Sequence, residues 1–245
     1  MLRSSIIDYQ QLSPNFYGAR TRNIDRITPH CYVGQASVES MGAWFAKKTT
    51  GASCNYGIGA DGRIAEIVPE SQASICSSSR ENDNRAVTIE CASDLTSPYA
   101  FRPEVYASLV DLCVDICKRN GKTRLTWISD KDYALHFPLM PDEMLLTVHR
   151  WFKNKACPGE WMMARMGLLA EEVTTRLNEG DDDMIRYNTI EECPTYAQRT
   201  IKLLVDKGLL NGGTNGLALS EDMVRILVIL HRAGVFGNER STRLI

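Results

Sequence analysis

Residues 149–159 read HRWFKNKACPG, and the meaning of this stretch decides the rest of the chain. His149 ends an extended apolar run, LLTVHRWF, and Cys157 follows beyond a short basic loop. Imidazole and thiolate are both zinc ligands, and a loop of this length brings them to one ion. Two ligands do not make a site. A catalytic zinc takes three from the protein and keeps a fourth position open for water. The chain has four histidines. His231 lies in a helical pattern near the end and His136 in an irregular ALHFPLMP segment, which leaves His30, on an extended run, as the best-placed third ligand. Taken alone, a His and a Cys at this spacing are more often structural, so the surrounding pattern has to decide.

Working outward, strand and helix signals alternate. RITPHCYVGQ (26–35) puts His30 and Tyr32 on one face of an extended run, and alternation turns Cys31 and Val33 away. SVESMGAWFAKKTTG (37–51) has Val38, Met41 and Phe45 at helical spacing, with Gly51 as a stop. NYGIGADGRIAEIV (55–68) is two extended runs around an Asp61-Gly62 turn, a hairpin signal. RAVTIECAS (85–93) sets Val87, Ile89 and Cys91 on one face and Thr88 and Glu90 on the other. FRPEVYASLVDLCVDICKRNG (101–121) predicts an amphipathic helix: Pro103 suits the first turn, Val105, Leu109, Leu112 and Ile116 make the stripe, and Gly121 suits the C-terminal cap. Cys113 and Cys117 lie one turn apart beside that stripe, where packing is expected rather than metal binding. Residues 129–143 read as a loop, and PGEWMMARMGLLAEEVTTRL (158–177) as one helix. Trp44, Trp151 and Trp161 are expected to be buried. The fold class that follows is α/β, a central mixed β-sheet flanked by helices, with a small C-terminal α-helical module.

That module begins after a composition break, NEGDDD (178–183), which is acidic and lacks apolar residues. The expected division is a catalytic domain over 1–178, an acidic linker over 179–186 and a helical module over 187–245. PTYAQRTIKLLVDKG (194–208) and SEDMVRILVILHRAG (220–234) are its two helices, the second with Ser220 as N-cap. Met184 follows the acidic run, where a second product is conceivable. With 245 residues, 44% apolar, 24% charged and a formal net charge of −2, the composition is ordinary and predicts no nucleic-acid or anionic-membrane partner. No apolar run is long enough to span a bilayer, and MLRSSIIDYQQLSPNFYG (1–18) lacks the pattern of a secretory signal. Synthesis in the cytoplasm without a signal peptide is expected, and the eight cysteines would then stay mostly reduced.

The chain resembles the type-2 N-acetylmuramoyl-L-alanine amidases, a family that includes many phage endolysins and the peptidoglycan recognition proteins. The resemblance is carried by His30 in ITPHCYVGQ, the hairpin ASCNYGIGADGRI, Glu90 in NRAVTIECAS, and HRWFKNKACPG, in the family's order, over roughly residues 20 to 178. It implies that His30, His149 and Cys157 hold Zn2+, that Glu90 is the catalytic glutamate of one branch, and that Lys155 matches a catalytic lysine of another. Some members carry a catalytic tyrosine where Cys54 stands here; Tyr56, two residues later, is expected to point the same way as Cys54, and Asn55, on the opposite face, is a substrate-binding candidate. The substrate implied is the amide between N-acetylmuramic acid and L-alanine in bacterial peptidoglycan, cut as a phage or prophage endolysin does after release to the wall. Two alternatives stay open: a non-catalytic peptidoglycan-binding protein, and a cytoplasmic muropeptide-recycling amidase. Binding members typically lose the cysteine ligand, which is present here as Cys157. AQRTIKLLVDKGLLNGG is similar to the helical repeats of S-layer-homology-like wall modules, which implies either wall targeting or a homodimer formed through the C-terminal module.

Overall fold

The computed structural model describes residues 4–178, 186–213 and 216–236. The acidic linker falls almost wholly outside the described residues, as does Met184. The chain divides into two compact units, Met1–Glu179 and Gly180–Ile245.

Among the described residues, the first unit is built on nine strands: β1 (Tyr9–Gln10), β2 (Phe16–Ala19), β3 (Arg26–Val33), β4 (Tyr56–Ile58), β5 (Ile64–Glu66), β6 (Gln72–Ser74), β7 (Ala86–Ser93), β8 (Arg124–Thr126) and β9 (Glu143–Leu146). Seven make one sheet in the order β1-β5-β4-β7-β3-β9-β8, while β2 and β6 pair separately. The large sheet is mixed: β4 and β5 run antiparallel as the predicted hairpin, and the other neighbours are parallel. Gly62 turns that hairpin at φ +84°, a conformation that glycine takes without steric cost.

The helices are α1 (Val38–Phe45), α2 (Arg80–Arg85), α3 (Pro103–Arg119), α4 (Lys131–His136), α5 (Glu160–Met163) and α6 (Met166–Asn178). The stripe predicted for α3 is fully buried, with Val105, Leu109, Leu112 and Ile116 at 0% exposure, and it packs on Val87, Ile89 and Cys91 of β7. Cys113 and Cys117 are buried in the same core. Ser37 caps α1 by accepting from the Ser40 amide, and Gly51 ends the short 3-10 turn that follows it.

Three local expectations change. Residues 158–177 form two helices, because the Arg165 guanidinium donates to the Trp161 carbonyl at 3.1 Å while the Arg165 amide bonds one residue short, to Met162. Residues 129–143 contain α4, whose N-cap Asp130 accepts from the Tyr133 amide at 2.8 Å. The run LLTVHRWF leaves the sheet after Leu146 and turns as a 3-10 helix at His149–Trp151. Trp44 also departs from expectation, being half exposed.

The second unit contains α7 (Thr195–Asp206) and α8 (Glu221–Arg232). Ala197, Ile201, Val224 and Val228 pack with Tyr187, Cys193 and Leu219 into a separate small core, and Ser220 caps α8 as expected. Among the described residues, no helix is long and apolar enough to cross a membrane.

Candidate metal centre

The site stands on the sheet face opposite α3. β3 and β7 pair in parallel register, Thr28 with Thr88 and His30 with Glu90. Side chains two apart share a face, so His30 and Glu90 stand side by side there. Residues 147–148 continue extended from β9, with the Thr147 amide donating to Ile27 O at 2.9 Å. Thr147 therefore meets Thr28, hydroxyl to hydroxyl, at 2.7 Å. Asn82 ties both threonines together, donating to Thr28 Oγ1 and accepting from Thr147 Oγ1. This buried polar layer underlies the site, and His149 follows two residues after Thr147.

The ligand atoms of His30, His149 and Cys157 all lie within 4.8 Å of one another. Cys157 Sγ is 3.3 Å from His30 Nδ1, and the two imidazole centroids are 5.1 Å apart, edge to face. A tetrahedral zinc with bonds of about 2.0–2.3 Å needs ligand separations of about 3.3–3.8 Å, so this donor set fits with small side-chain movements. His136 and His231 are not brought there. His136, exposed on α4, has Nδ1 at 2.7 Å from Asp132 O, and His231 Nδ1 bonds Thr200 in the second unit.

The electrostatics suit cation binding. His30 is 1% exposed, and burial followed by the neighbouring His149 holds its pKa well below the usual value. Burial, then the nearby Lys155 ammonium, also lowers His149. Both rings are thus kept neutral, as metal ligands must be. The Cys157 thiol is pushed up by a hydrogen bond with Cys31, by burial and by Glu90, an effect that a bound cation reverses. Cys31 does leave β3 from the apolar face, yet its thiol is electrostatically linked to that of Cys157, which lowers its pKa and which alternation alone does not reveal.

Glu90 Oε1 lies 4.0 Å from His30 Nδ1. Burial raises its carboxyl to about 7, partly offset by a hydrogen bond from the Cys76 thiol. Cys76 Sγ is 3.8 Å from Glu90 Oε1. His30 Nε2 and Glu90 Oε2 are buried with no hydrogen-bond partner among the described residues, the kind of unpaired polar atom that functional sites retain. Lys155 is exposed on the loop beside His149.

The substrate-binding candidate Asn55 falls elsewhere, and Tyr56 does not take the direction expected of it. Asn55 is fully buried: Nδ2 donates to Val68 O and Oδ1 accepts from the Thr88 amide and Arg20. Tyr56 does not follow Cys54. Its ring packs in the core under α3 and its hydroxyl donates to Glu70 Oε1 at 2.7 Å, whereas Cys54 sits in the cluster with Val38 and Phe45. The reason is local: β4 begins only at Tyr56, and at Asn55 the Ile67 and Val68 amides both bond one carbonyl, which breaks the alternation. Sequence reasoning missed Cys76 and Ser78. Ser78 Oγ is 2.9 Å from His149 Nε2, and the only signal was the polar run CSSS ahead of a short helix.

Comparison with solved structures places this fold among known ones. The Staphylococcus aureus hydrolase AmiA, in complex with its ligand, aligns with a TM-score of 0.50 at 12% identity, covering 74% of this chain and 87% of that one. A selenomethionine derivative of AmpD aligns at 0.49 with 17% identity, covering 69% and 99%, and Drosophila PGRP-LB at 0.43 with 15%, covering 64% and 92%. At 12% identity the likeness to AmiA speaks for the fold alone. No curated protein sequence matches the chain. A family sequence pattern does match, over residues 20–160, a span that holds β3, β7, His30, Glu90, His149 and Cys157. The chain therefore belongs to the Amidase_2 family, described as N-acetylmuramoyl-L-alanine amidase.

Proposed function

We propose that this protein is a zinc-dependent amidase that cuts the bond between N-acetylmuramic acid and L-alanine in bacterial peptidoglycan, in the manner of a phage or prophage endolysin. The observation that carries this reading is the convergence of His30, His149 and Cys157 within 4.8 Å, beside Glu90, in a chain of this family. Bound by those three side chains, zinc supplies Lewis acidity to the scissile carbonyl and makes a water acidic near neutrality. Glu90 takes the proton of the attacking water on its carboxylate and returns it to the departing amine nitrogen. The Lys155 ammonium, exposed at the rim beside His149, stabilises the negative oxygen of the tetrahedral intermediate. The presence of Cys157 favours catalysis over binding alone. The second unit, with its own core, suits retention on an insoluble wall better than recycling of soluble fragments.

Digestion of purified peptidoglycan with mass spectrometry of the products tests the reaction. New free L-alanine amino termini are expected; new reducing sugars instead would overturn it. Dialysed protein is expected to hold one zinc per chain, and Cys157→Ala to hold none and release no product. A wild-type chain free of zinc yet fully active would sink the metal reading.

A further inference from the structure

The segment between β6 and α2, Cys76-Ser77-Ser78-Ser79, is pinned at both ends. Asp83 accepts from the Cys76 amide at 3.0 Å and from the Ser77 amide at 3.0 Å. Ser77 is fully buried, its hydroxyl donates to Ser79 O and accepts from Asn82 Nδ2, and the Ser79 hydroxyl caps α2 by accepting from the Asn82 amide. Between these anchors Ser78 is held at φ +63°, in the left-handed region that favours glycine and asparagine. A serine there is strained, and its side chain is the one part of it that glycine lacks. That side chain meets a proposed zinc ligand, with Oγ at 2.9 Å from His149 Nε2.

A neutral imidazole carries one N–H and one lone pair, and the hydrogen bond made by one nitrogen decides which nitrogen is free to bind metal. With Ser78 against Nε2, Nδ1 is the nitrogen left for a metal shared with His30 and Cys157. Metal-binding histidines commonly donate their second N–H to a fixed acceptor, which sets both tautomer and ring orientation. We propose that Ser78 is a positioning residue that accepts the His149 Nε2–H and so fixes Nδ1 as the metal-facing nitrogen. This rests on the zinc reading given above. Strain at Ser78 and the position of its hydroxyl then have one cause: the backbone is bent so that the hydroxyl arrives beside the ring.

The test uses the full chain, zinc competition against a chromophoric chelator, and nitrogen NMR of histidine-labelled protein loaded with zinc. In the wild type, His149 is expected to show a metal-bound Nδ1 and a protonated Nε2. Ser78→Gly keeps the backbone conformation and removes the hydroxyl, and is expected to weaken zinc binding about 10- to 100-fold without lowering the melting temperature of metal-free protein. Ser78→Asn, which tolerates the same backbone conformation and offers an acceptor carbonyl, is expected to recover most of that loss; a purely structural serine predicts no such recovery. Wild type and Ser78→Gly that bind zinc equally, or an Nε2-bound His149, would overturn the assignment while leaving the zinc reading intact. A wild type that binds no zinc would overturn both.

Discussion

Tyr56→Phe separates a structural tyrosine from a catalytic one. Tyr56 is 1% exposed, and its hydroxyl donates to Glu70 Oε1 at 2.7 Å. Burial, followed by the Glu70 charge, pushes its pKa up, so the group is a neutral donor at every working pH. A hydrogen bond to a charged acceptor contributes about 1.5–3 kcal/mol. Here the lower part of that range applies, because Glu70 keeps two further bonds from Arg119, to Oε2 at 2.9 Å and Oε1 at 2.6 Å. The phenylalanine ring also fills the same space, so no cavity adds to the cost. A loss of about 1.5–2 kcal/mol is expected, and for a unit of this size that is a fall of about 3–8 °C in melting temperature. Circular dichroism melts of zinc-loaded protein measure it, together with the rate of L-alanine end-group release from peptidoglycan. The rate should stay within about twofold, since a change of that size is under 0.5 kcal/mol in the barrier. An unchanged melting temperature with a rate reduced tenfold would place the hydroxyl at the reacting bond and refute the placement of Tyr56 under α3.

Glu90→Gln keeps the shape of the side chain and removes the proton acceptor; the rate should fall by about 10²–10⁴ while zinc content stays at the wild-type level, and loss of zinc in this variant would recast Glu90 as a ligand. In metal-free protein Glu90 also couples stability to pH. Its folded pKa is raised from 4.5 to about 7, so the folded state holds the proton more tightly than the unfolded one. Its contribution is full below about pH 4.5 and is lost as the pH rises through about 7, up to about 3 kcal/mol in all. Denaturant titrations of chelator-treated wild type and Glu90→Gln across this range should differ in slope, and parallel curves would remove Glu90 as the cause. Gly159→Ala places a Cβ 2.8 Å from Pro98 O and 2.9 Å from Tyr99 Cβ, at φ +87°. Backbone must move, a cost of about 1–3 kcal/mol, and zinc affinity should drop with it because Cys157 lies two residues away; an unchanged melt would show that the turn yields freely.

What the sequence made legible and what it hid divide along physical lines. His149 and Cys157 lie in one continuous stretch, so residue types and spacing expose them. The α3 stripe and the Asp61-Gly62 hairpin are likewise local patterns, and each forms where expected. His30 and Glu90 are separated by sixty positions, and only strand pairing joins them. Alternation gave each its face but said nothing of their being neighbours. Ser78 and Cys76 were hidden for another reason: their work depends on a left-handed residue and on Asp83 gripping the loop, neither of which has a periodic signature. Tyr56 was misdirected because alternation was carried past the strand's first residue, into a stretch whose hydrogen bonds are irregular.

The pairing of β3 with β7 also explains why the site and the core cannot vary independently. Ile27, Cys31, Val87, Ile89 and Cys91 face α3, while Thr28, His30, Thr88 and Glu90 face the other way. A slip of β7 by one residue would turn Glu90 into the packed core and bring Ile89 out beside His30. Burying a carboxylate among those side chains costs several kcal/mol, and exposing Val87, Ile89 and Cys91 forfeits their burial as well. The apolar face therefore holds Glu90 opposite His30. It follows that substitutions at Ile89 or Cys91 are expected to disturb the proposed zinc site and the placement of Glu90 through register, at sites that a search for polar residues would pass over.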